Sequence, residues 1–263
     1  MDVKHVTRVS EFVGGFIRKC IFNILSVSVI PNHIAFIMDG NRRYSQKHNM
    51  INGAGYRVGF SALMSMLRYC YELGVKYVTV YAFSIDNFKR NPEEVESLMD
   101  LMVEKIERLI KEEIIIRQYG TRVRFIGNLT LLSESVRLAA ERPWMPLPKT
   151  LKSVLLICVA YTSIDEILHG VRESCEDNLN DGSVKISVSD IERRMYMGGA
   201  PDPDIIIRTS GETRLSNFLL WQSGKCLLYS PSVLWPEIGF MHLVCAVLDF
   251  QKHFYYLNKQ KQA

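Results

Sequence analysis

Three short stretches of this chain put acids, arginines and turn-forming residues directly after apolar runs. The first is Asp39-Gly40-Asn41-Arg42-Arg43, which follows Ile34-Ala-Phe-Ile-Met38. A carboxylate at the carboxyl end of a strand, then a glycine turn, bare backbone N–H groups and cationic side chains, makes an anion site that can also hold a metal ion. A diphosphate with Mg2+ suits it, with Asp39 ligating the ion and Arg42 and Arg43 neutralising phosphate oxygens. The same residues would also serve as a plain turn with a solvated charge pair. The second stretch runs from Asp204 to Ser216. Arg208, Arg214 and Ser216 can all donate to one diphosphate, Ser210-Gly211 lets backbone come close, and Glu212 can orient an arginine. A surface loop with unrelated charges is the alternative. The third, Ile85 to Arg90, ends the apolar run Lys76 to Ser84. In open α/β sheets ligands sit at that edge. Two arginine-rich sites on one sheet edge point to two phosphorylated substrates.

The elements that must position these residues read as alternating strands and helices. Ile34–Met38, Lys76–Ser84, Val123–Ile126, Val154–Ala160, Ile205–Ile207 and Leu227–Tyr229 are apolar or β-branched runs of strand length. Helices are expected over Gly55–Leu73 with Gly74 as its stop, from Asn91-Pro92 to about Tyr119, over Ser133–Glu141, and over 241–257. Ser163 with Glu166, and Ser189 with Glu192, have the spacing of capping boxes for two more helices. The polar segment Glu176–Asp190 between them reads as a loop, and Arg142–Pro148 as a proline-rich connection. The fold class is therefore α/β, a mostly parallel central sheet of about six strands flanked by helices.

Residues 1–30 stand apart from the domain expected over 31–263. Val9, Phe12, Val13, Phe16, Ile17, Cys20, Ile21, Ile24 and Leu25 recur at helical spacing beside Lys4, Arg8, Arg18 and Lys19. This amphipathic helix suits a membrane surface, or docking on the domain or on a partner. Its apolar run is shorter than the ~20 residues a bilayer span needs. Six cysteines with no C-x-x-C pair read as reduced thiols, which places the chain in the cytosol. The net charge of +4, from 32 basic and 28 acidic residues, is too small to argue for nucleic acid. No Gly-x-x-x-x-Gly-Lys-Ser/Thr loop occurs, and no His/Cys spacing suggests zinc.

Four stretches resemble the cis-prenyltransferases, and among them the eukaryotic dehydrodolichyl diphosphate synthases and plant rubber-type enzymes. They are His33 to Tyr44, Tyr81-Ala-Phe-Ser-Ile-Asp-Asn-Phe88, Ile207 to Gln222, and Leu234-Trp-Pro-Glu237. The likeness covers essentially residues 30–257. It implies the fold of that family and sequential condensation of isopentenyl diphosphate onto an allylic diphosphate such as farnesyl diphosphate, each new double bond being cis. It also implies that Asp39 holds Mg2+ and that Gly40, Asn41, Arg42 and Arg43 cradle the allylic diphosphate with help from Arg90. Ser84 and Asn87 would lie at the reacting centre, with Asn87 tied to condensation and proton loss. Arg208, Arg214 and Ser216 would take the isopentenyl diphosphate, and the helices after the first two strands would wall a tunnel for the growing chain. No Asp-Asp-x-x-Asp motif of trans-prenyltransferases is present.

Three departures from the family pattern qualify the likeness. Tyr56 follows Gly55 where the family has histidine, Leu227 stands where bacterial members have a metal-supporting glutamate, and the terminal residues 258–263 carry no Arg-x-Gly. The last implies an accessory subunit resembling the Nogo-B receptor that would complete the site, with a homodimer as the alternative. The expected location is the cytosolic face of the endoplasmic reticulum membrane, or the cytoplasm, and the expected product a dolichol-type polyprenyl diphosphate. A non-catalytic subunit of the same fold and a short-chain cis-prenyl diphosphate synthase are the rival readings.

Overall fold

A computed structural model describes residues 3–51, 53–111, 119–141, 152–181 and 185–262. Six strands form one sheet in the order β3-β4-β2-β1-β5-β6: β1 His33–Ile37, β2 Tyr77–Ser84, β3 Thr121–Ile126, β4 Ser153–Tyr161, β5 Ile205–Arg208 and β6 Leu227–Tyr229. Every pairing is parallel. All five residues of β1 and all nine of β4 are buried, as strands covered on both faces must be. Successive side chains serve opposite cores. Ile34, Phe36, Ile205 and Ile207 face one core, while Ala35, Ile37 and Ile206 face the other.

The first core is covered by α1 Val3–Leu25, α3 Ala54–Leu73, α4 Pro92–Lys111 and α8 Phe240–Gln262, as the burial of Leu25, Leu67, Met99 and Leu243 shows. Gly74, left-handed at φ 98°, ends α3 as expected, with its N–H on the carbonyls of Cys70 and Tyr71. The Asn91 side chain caps α4, accepting from Glu93 N at 3.0 Å. The continuation of α4 toward Tyr119 falls on residues 112–118, and the Arg142–Pro148 connection on 142–151, both outside the described residues. Helix α1 docks at its carboxyl end. Phe22 packs edge-on against Phe240, Arg18 pairs with Glu72 at 2.6 Å, and Gln251 donates to the Leu25 carbonyl. Its expected stripe is split by this docking: Leu25 is buried, whereas Phe16, Ile17, Cys20 and Ile24 are exposed. Among the described residues no helix is long and apolar enough to cross a membrane.

Helix α5 covers Glu134–Glu141, where a helix was expected. Four other local expectations are corrected. A helix, α2 Asn41–Lys47, follows Asp39-Gly40 where only a turn was expected. Helix α6 spans Ser163–Asp181, so residues 176–181 are helical rather than loop. The cap of α6 is Thr162, whose hydroxyl accepts from Asp165 N at 3.3 Å, while Glu166 turns into the core. Helix α7, Val188–Arg194, is capped by a Ser187–Asp190 box, one pair upstream of the expected Ser189–Glu192.

Helices α2 and α3 approach so closely that only glycines fit between them. A Cβ on Gly59 would lie 2.1 Å from Asn41 Oδ1 and 2.9 Å from Trp235 Cδ1. Trp235 is itself buried, its indole N–H donating to the Gly59 carbonyl at 2.8 Å. Gly59→Ala should therefore destabilise the fold by about 2 kcal/mol through overpacking. A lowered urea midpoint with an unchanged slope is the expected measurement.

Candidate active site

The strands deliver three of the polar stretches to one place. Ile37 lies level with Tyr81 on one side and with Arg208 on the other, so β1 and β5 end together and β2 runs on beside them to Ser84. In this strand order the connections diverge on either side of β1 and β5, which opens a crevice at their carboxyl ends. A cleft of about 900 Å3 occupies it. Asp39, Gly40, Asn41, Arg42, Arg43, Ser84, Asn87, Arg90, Arg208, Arg214 and Ser216 all line this one cleft. The two arginine-rich stretches, joined by Arg90 of the third, thus form a single site with five arginines. The cleft continues between α3, α4 and the sheet along Phe60, Leu63, Leu98, Met102, Ile106 and Phe125. One end is cationic and the rest is lined mainly by hydrocarbon.

Gly40 makes the turn at the cationic end. Its φ of 114° is left-handed, and a Cβ there would meet Ser210 Oγ at 2.7 Å. The Asp39 carbonyl accepts from Trp235 N at 2.9 Å, Thr209 Oγ1 at 2.6 Å and Ser210 Oγ at 3.0 Å. Its carboxylate accepts from Arg43 Nη2 at 3.0 Å and from Arg208 Nη2 at 2.8 Å. Burial alone pushes this carboxyl up, but the guanidiniums of Arg208 and Arg43 outweigh it and hold the acid below its ordinary value. Arg208, 8% exposed, also donates through Nη1 to Ser216 Oγ at 2.7 Å and to the Arg214 carbonyl. Its Nε is buried without a partner.

The other arginines are held by two glutamates. Glu94 pairs with Arg90 at 3.0 Å and Arg42 at 3.8 Å. Glu212 pairs with Arg214 and, at 3.8 Å, with Arg43. Tyr56, in the departing position, accepts from Arg90 Nη1 at 3.2 Å. Ser84 and Asn87 are bound to one another: Ser84 N donates to Asn87 Oδ1 at 3.0 Å, and Ser84 Oγ accepts from Asp86 N at 3.1 Å. Leu227 is part-buried in β6 among apolar neighbours and does not line the cleft. Tyr81 and Trp235 do line it, although within the stretches that carry the resemblance no site role was expected of either. Tyr81 stacks on Phe218 at 4.5 Å and donates to the Tyr161 carbonyl at 3.1 Å, and burial raises its phenol. An aromatic inside a strand offers no signal separating core from cleft wall.

Among the described residues no three acidic, histidine or cysteine side chains gather into a ready-made cation cage. A lone ionised carboxylate beside arginines fits a Mg2+ that arrives on a diphosphate, because that ion is held by one or two carboxylates plus phosphate oxygens.

The family model of undecaprenyl diphosphate synthases matches residues 37–255. The chain belongs to the undecaprenyl diphosphate synthase family. It is 58% identical to dehydrodolichyl diphosphate synthase CPT3 of Solanum lycopersicum, over 98% of this chain and 97% of the relative. It is 44% identical to the dehydrodolichyl diphosphate synthase complex subunit DHDDS of Homo sapiens, over 91% and 72%. Among solved structures it is similar to lavandulyl diphosphate synthase from Lavandula x intermedia in complex with dimethylallyl diphosphate. That likeness has a TM-score of 0.78 at 26% identity over 84% of this chain and 95% of the other. The chain is thus a cis-prenyltransferase, and its fold and enzyme class are those expected from the motifs.

The geometry of this prenyltransferase makes two predictions. Tyr56→Phe removes one of the two acceptors of Arg90, a bond worth about 1 kcal/mol net, so magnesium pyrophosphate should bind about fivefold more weakly by calorimetry. Asp39 titrates below the unfolded value of 3.8, so its ion pairs stabilise the fold at neutral pH. That contribution is lost as pH falls through the depressed folded value. The difference in urea midpoint between wild type and Asp39→Asn should stay constant down to pH 3.8 and shrink below it.

Proposed function

We propose that this cis-prenyltransferase condenses isopentenyl diphosphate onto an allylic diphosphate of the farnesyl type and makes a dolichol-type polyprenyl diphosphate. The observation that carries the reading is the single cleft, in which five arginines open directly into an apolar channel. A molecule with a diphosphate head and a hydrocarbon tail has that polarity. The dimethylallyl diphosphate held by the lavender enzyme and the activity for which the tomato relative is named support it.

Asp39 is the proposed Mg2+ ligand, and the ion would supply charge neutralisation for the departing diphosphate. The backbone turn at Gly40–Asn41 with Arg42, Arg43 and Arg90 receives the allylic diphosphate. Arg208, Arg214 and Ser216 receive that of isopentenyl diphosphate. The bond between the allylic carbon and its diphosphate oxygen breaks. The terminal methylene of the isopentenyl unit bonds to that carbon, and a proton leaves the unit to form the new double bond. The fixed arginines stabilise the leaving group as charge develops, and holding both reactants in one cleft supplies orientation. Asn87, anchored on Ser84 beside the channel mouth, orients the reacting centre for condensation and proton loss.

The enzyme is proposed to work at the cytosolic face of the endoplasmic reticulum. The exposed Phe16, Ile17 and Ile24 of α1 support a surface that meets lipid. An accessory subunit resembling the Nogo-B receptor is proposed as its partner, on the ground that the human relative is named as a complex subunit. Purified protein incubated with farnesyl diphosphate, labelled isopentenyl diphosphate and Mg2+ should yield long cis products, more so with the partner. Asp39→Ala and Arg208→Ala should each lower turnover by about 100-fold or more. Short products alone would favour the terpene-precursor reading, and incorporation in no combination would point to a non-catalytic subunit.

A further inference from the structure

The apolar part of the cleft contains one residue of the wrong chemistry. Lys105 lies on α4 among Leu101, Met102 and Ile106 and lines the cleft with them. Its side chain is only 12% exposed. The ammonium sits 5.1 Å from the centroid of the Phe60 ring, which also lines the cleft, and 2.8 Å from Glu104 Oε1. Glu104 is exposed, and it also accepts from Arg57 of α3 at 2.9 Å. The Lys105 stem therefore forms part of the channel wall, and its charge is kept at the wall by a ring from α3 and a carboxylate from α4.

Its position along the channel is informative. Glu94, which pairs with Arg90 and Arg42 at the cationic end, lies on the same helix eleven residues earlier, roughly 16 Å at the helical rise. A hydrocarbon tail that grows from the arginine end along α4 reaches Lys105 after its first few isoprene units. Up to there it meets apolar side chains. At Lys105 it must either pass an ammonium that keeps its charge or strip that ammonium of its remaining contact with water, and both are unfavourable.

Resting on the proposed function, we infer that Lys105 is a specificity-determining residue: its charge at the channel wall opposes, without barring, a prenyl tail that grows past it, and so biases the length of tail the cleft holds. The chemical class recognised is the uncharged polyprenyl tail, and the discrimination is by length. Lys105→Met keeps the length and flexibility of the stem and removes the charge. Lys105→Gln removes the charge but keeps a polar tip, and Lys105→Arg keeps the charge.

The test measures binding of all-trans allylic diphosphates of increasing tail length, together with the chain-length distribution of products normalised to isopentenyl units incorporated. In wild type, affinity should stop rising once the tail reaches Lys105. In Lys105→Met the longest tails should bind about tenfold tighter than in wild type, the shortest equally, and products should lengthen by at least one unit. Lys105→Gln should move the same way by less, and Lys105→Arg should keep the wild-type profile. An unchanged binding profile in folded Met and Gln variants overturns the assignment, as does a shift to shorter tails. Binding is read without turnover, so it decides the role of Lys105 even where wild-type condensation fails, and that failure would count against the proposed reaction alone.

Discussion

The ion pair between Asp39 and Arg208 is the contact on which the site depends. It exists because β1 and β5 are parallel neighbours in a register that sets Ile37 beside Arg208, so that the residues leaving both strands emerge side by side. A guanidinium this deeply buried is unfavourable unless its donors are met. Arg208 meets those of its two terminal nitrogens with the Asp39 carboxylate, the Ser216 hydroxyl and the Arg214 carbonyl, leaving only Nε without a partner, and this shapes the loop after β5 around one cation. Asp39 is a hub in its turn. Its carbonyl gathers the start of that loop and the segment that leads into Trp235. Breaking the pair would leave a buried charge without its counterion.

The remaining arginines are held on different terms. Arg42 and Arg214 are more than half exposed, and their partners Glu94 and Glu212 also pair with Arg90 and Arg43. Exposed ion pairs contribute little net stability, because water and salt screen them. Two glutamates that each bridge two arginines therefore relieve the mutual repulsion of the cluster and keep the side chains in place without binding them tightly. An incoming diphosphate, with more charge and more acceptor oxygens than a carboxylate, can replace either glutamate at small loss. The cleft combines a buried pair that fixes the strand ends with exposed pairs that exchange, and this division suits an enzyme that must release and rebind a diphosphate in every cycle.

Much of this was legible in the chain itself. Buried parallel strands read as uninterrupted apolar runs, and Ile34–Met38 and Val154–Ala160 could scarcely be anything else. Asn91-Pro92 and Gly74 mark helix ends by local chemistry that tertiary structure did not override. What failed were features decided over distance or over too few residues. Seven residues of α2 are too short for a helical period to register. Two overlapping Ser-x-x-acid patterns near residue 188 are equally good locally, and only the position of α7 selects Ser187 with Asp190. That all the arginines would share one cleft required the strand order, which no local pattern contains. The Tyr56–Arg90 bond was invisible for the same reason: thirty-four positions separate two residues that α3 and the start of α4 bring together.

Glu166 shows how far such long-range demands reach. Its spacing from Ser163 is that of a capping pair, yet it is fully buried, accepting from Tyr161 Oη at 2.5 Å, Met197 N at 2.8 Å and Gln222 Nε2 at 3.1 Å. Burial pushes its carboxyl above the ordinary value, while these three donors pull it partly back. The group is expensive to bury, and its surroundings indicate what it secures. Ser216, Asn217 and Leu219 all have left-handed backbone, a conformation that costs residues with a Cβ about 1–2 kcal/mol each. Such a run persists only where neighbours over-determine it. Gln222 on Glu166, Leu220 N on Ser163 Oγ, and Ser163 N on the Asn217 carbonyl pin that run to the start of α6. The strained turn in turn holds Ser216 Oγ against Arg208. A carboxyl group buried beneath α6 thereby sets the geometry of the arginine that binds Asp39.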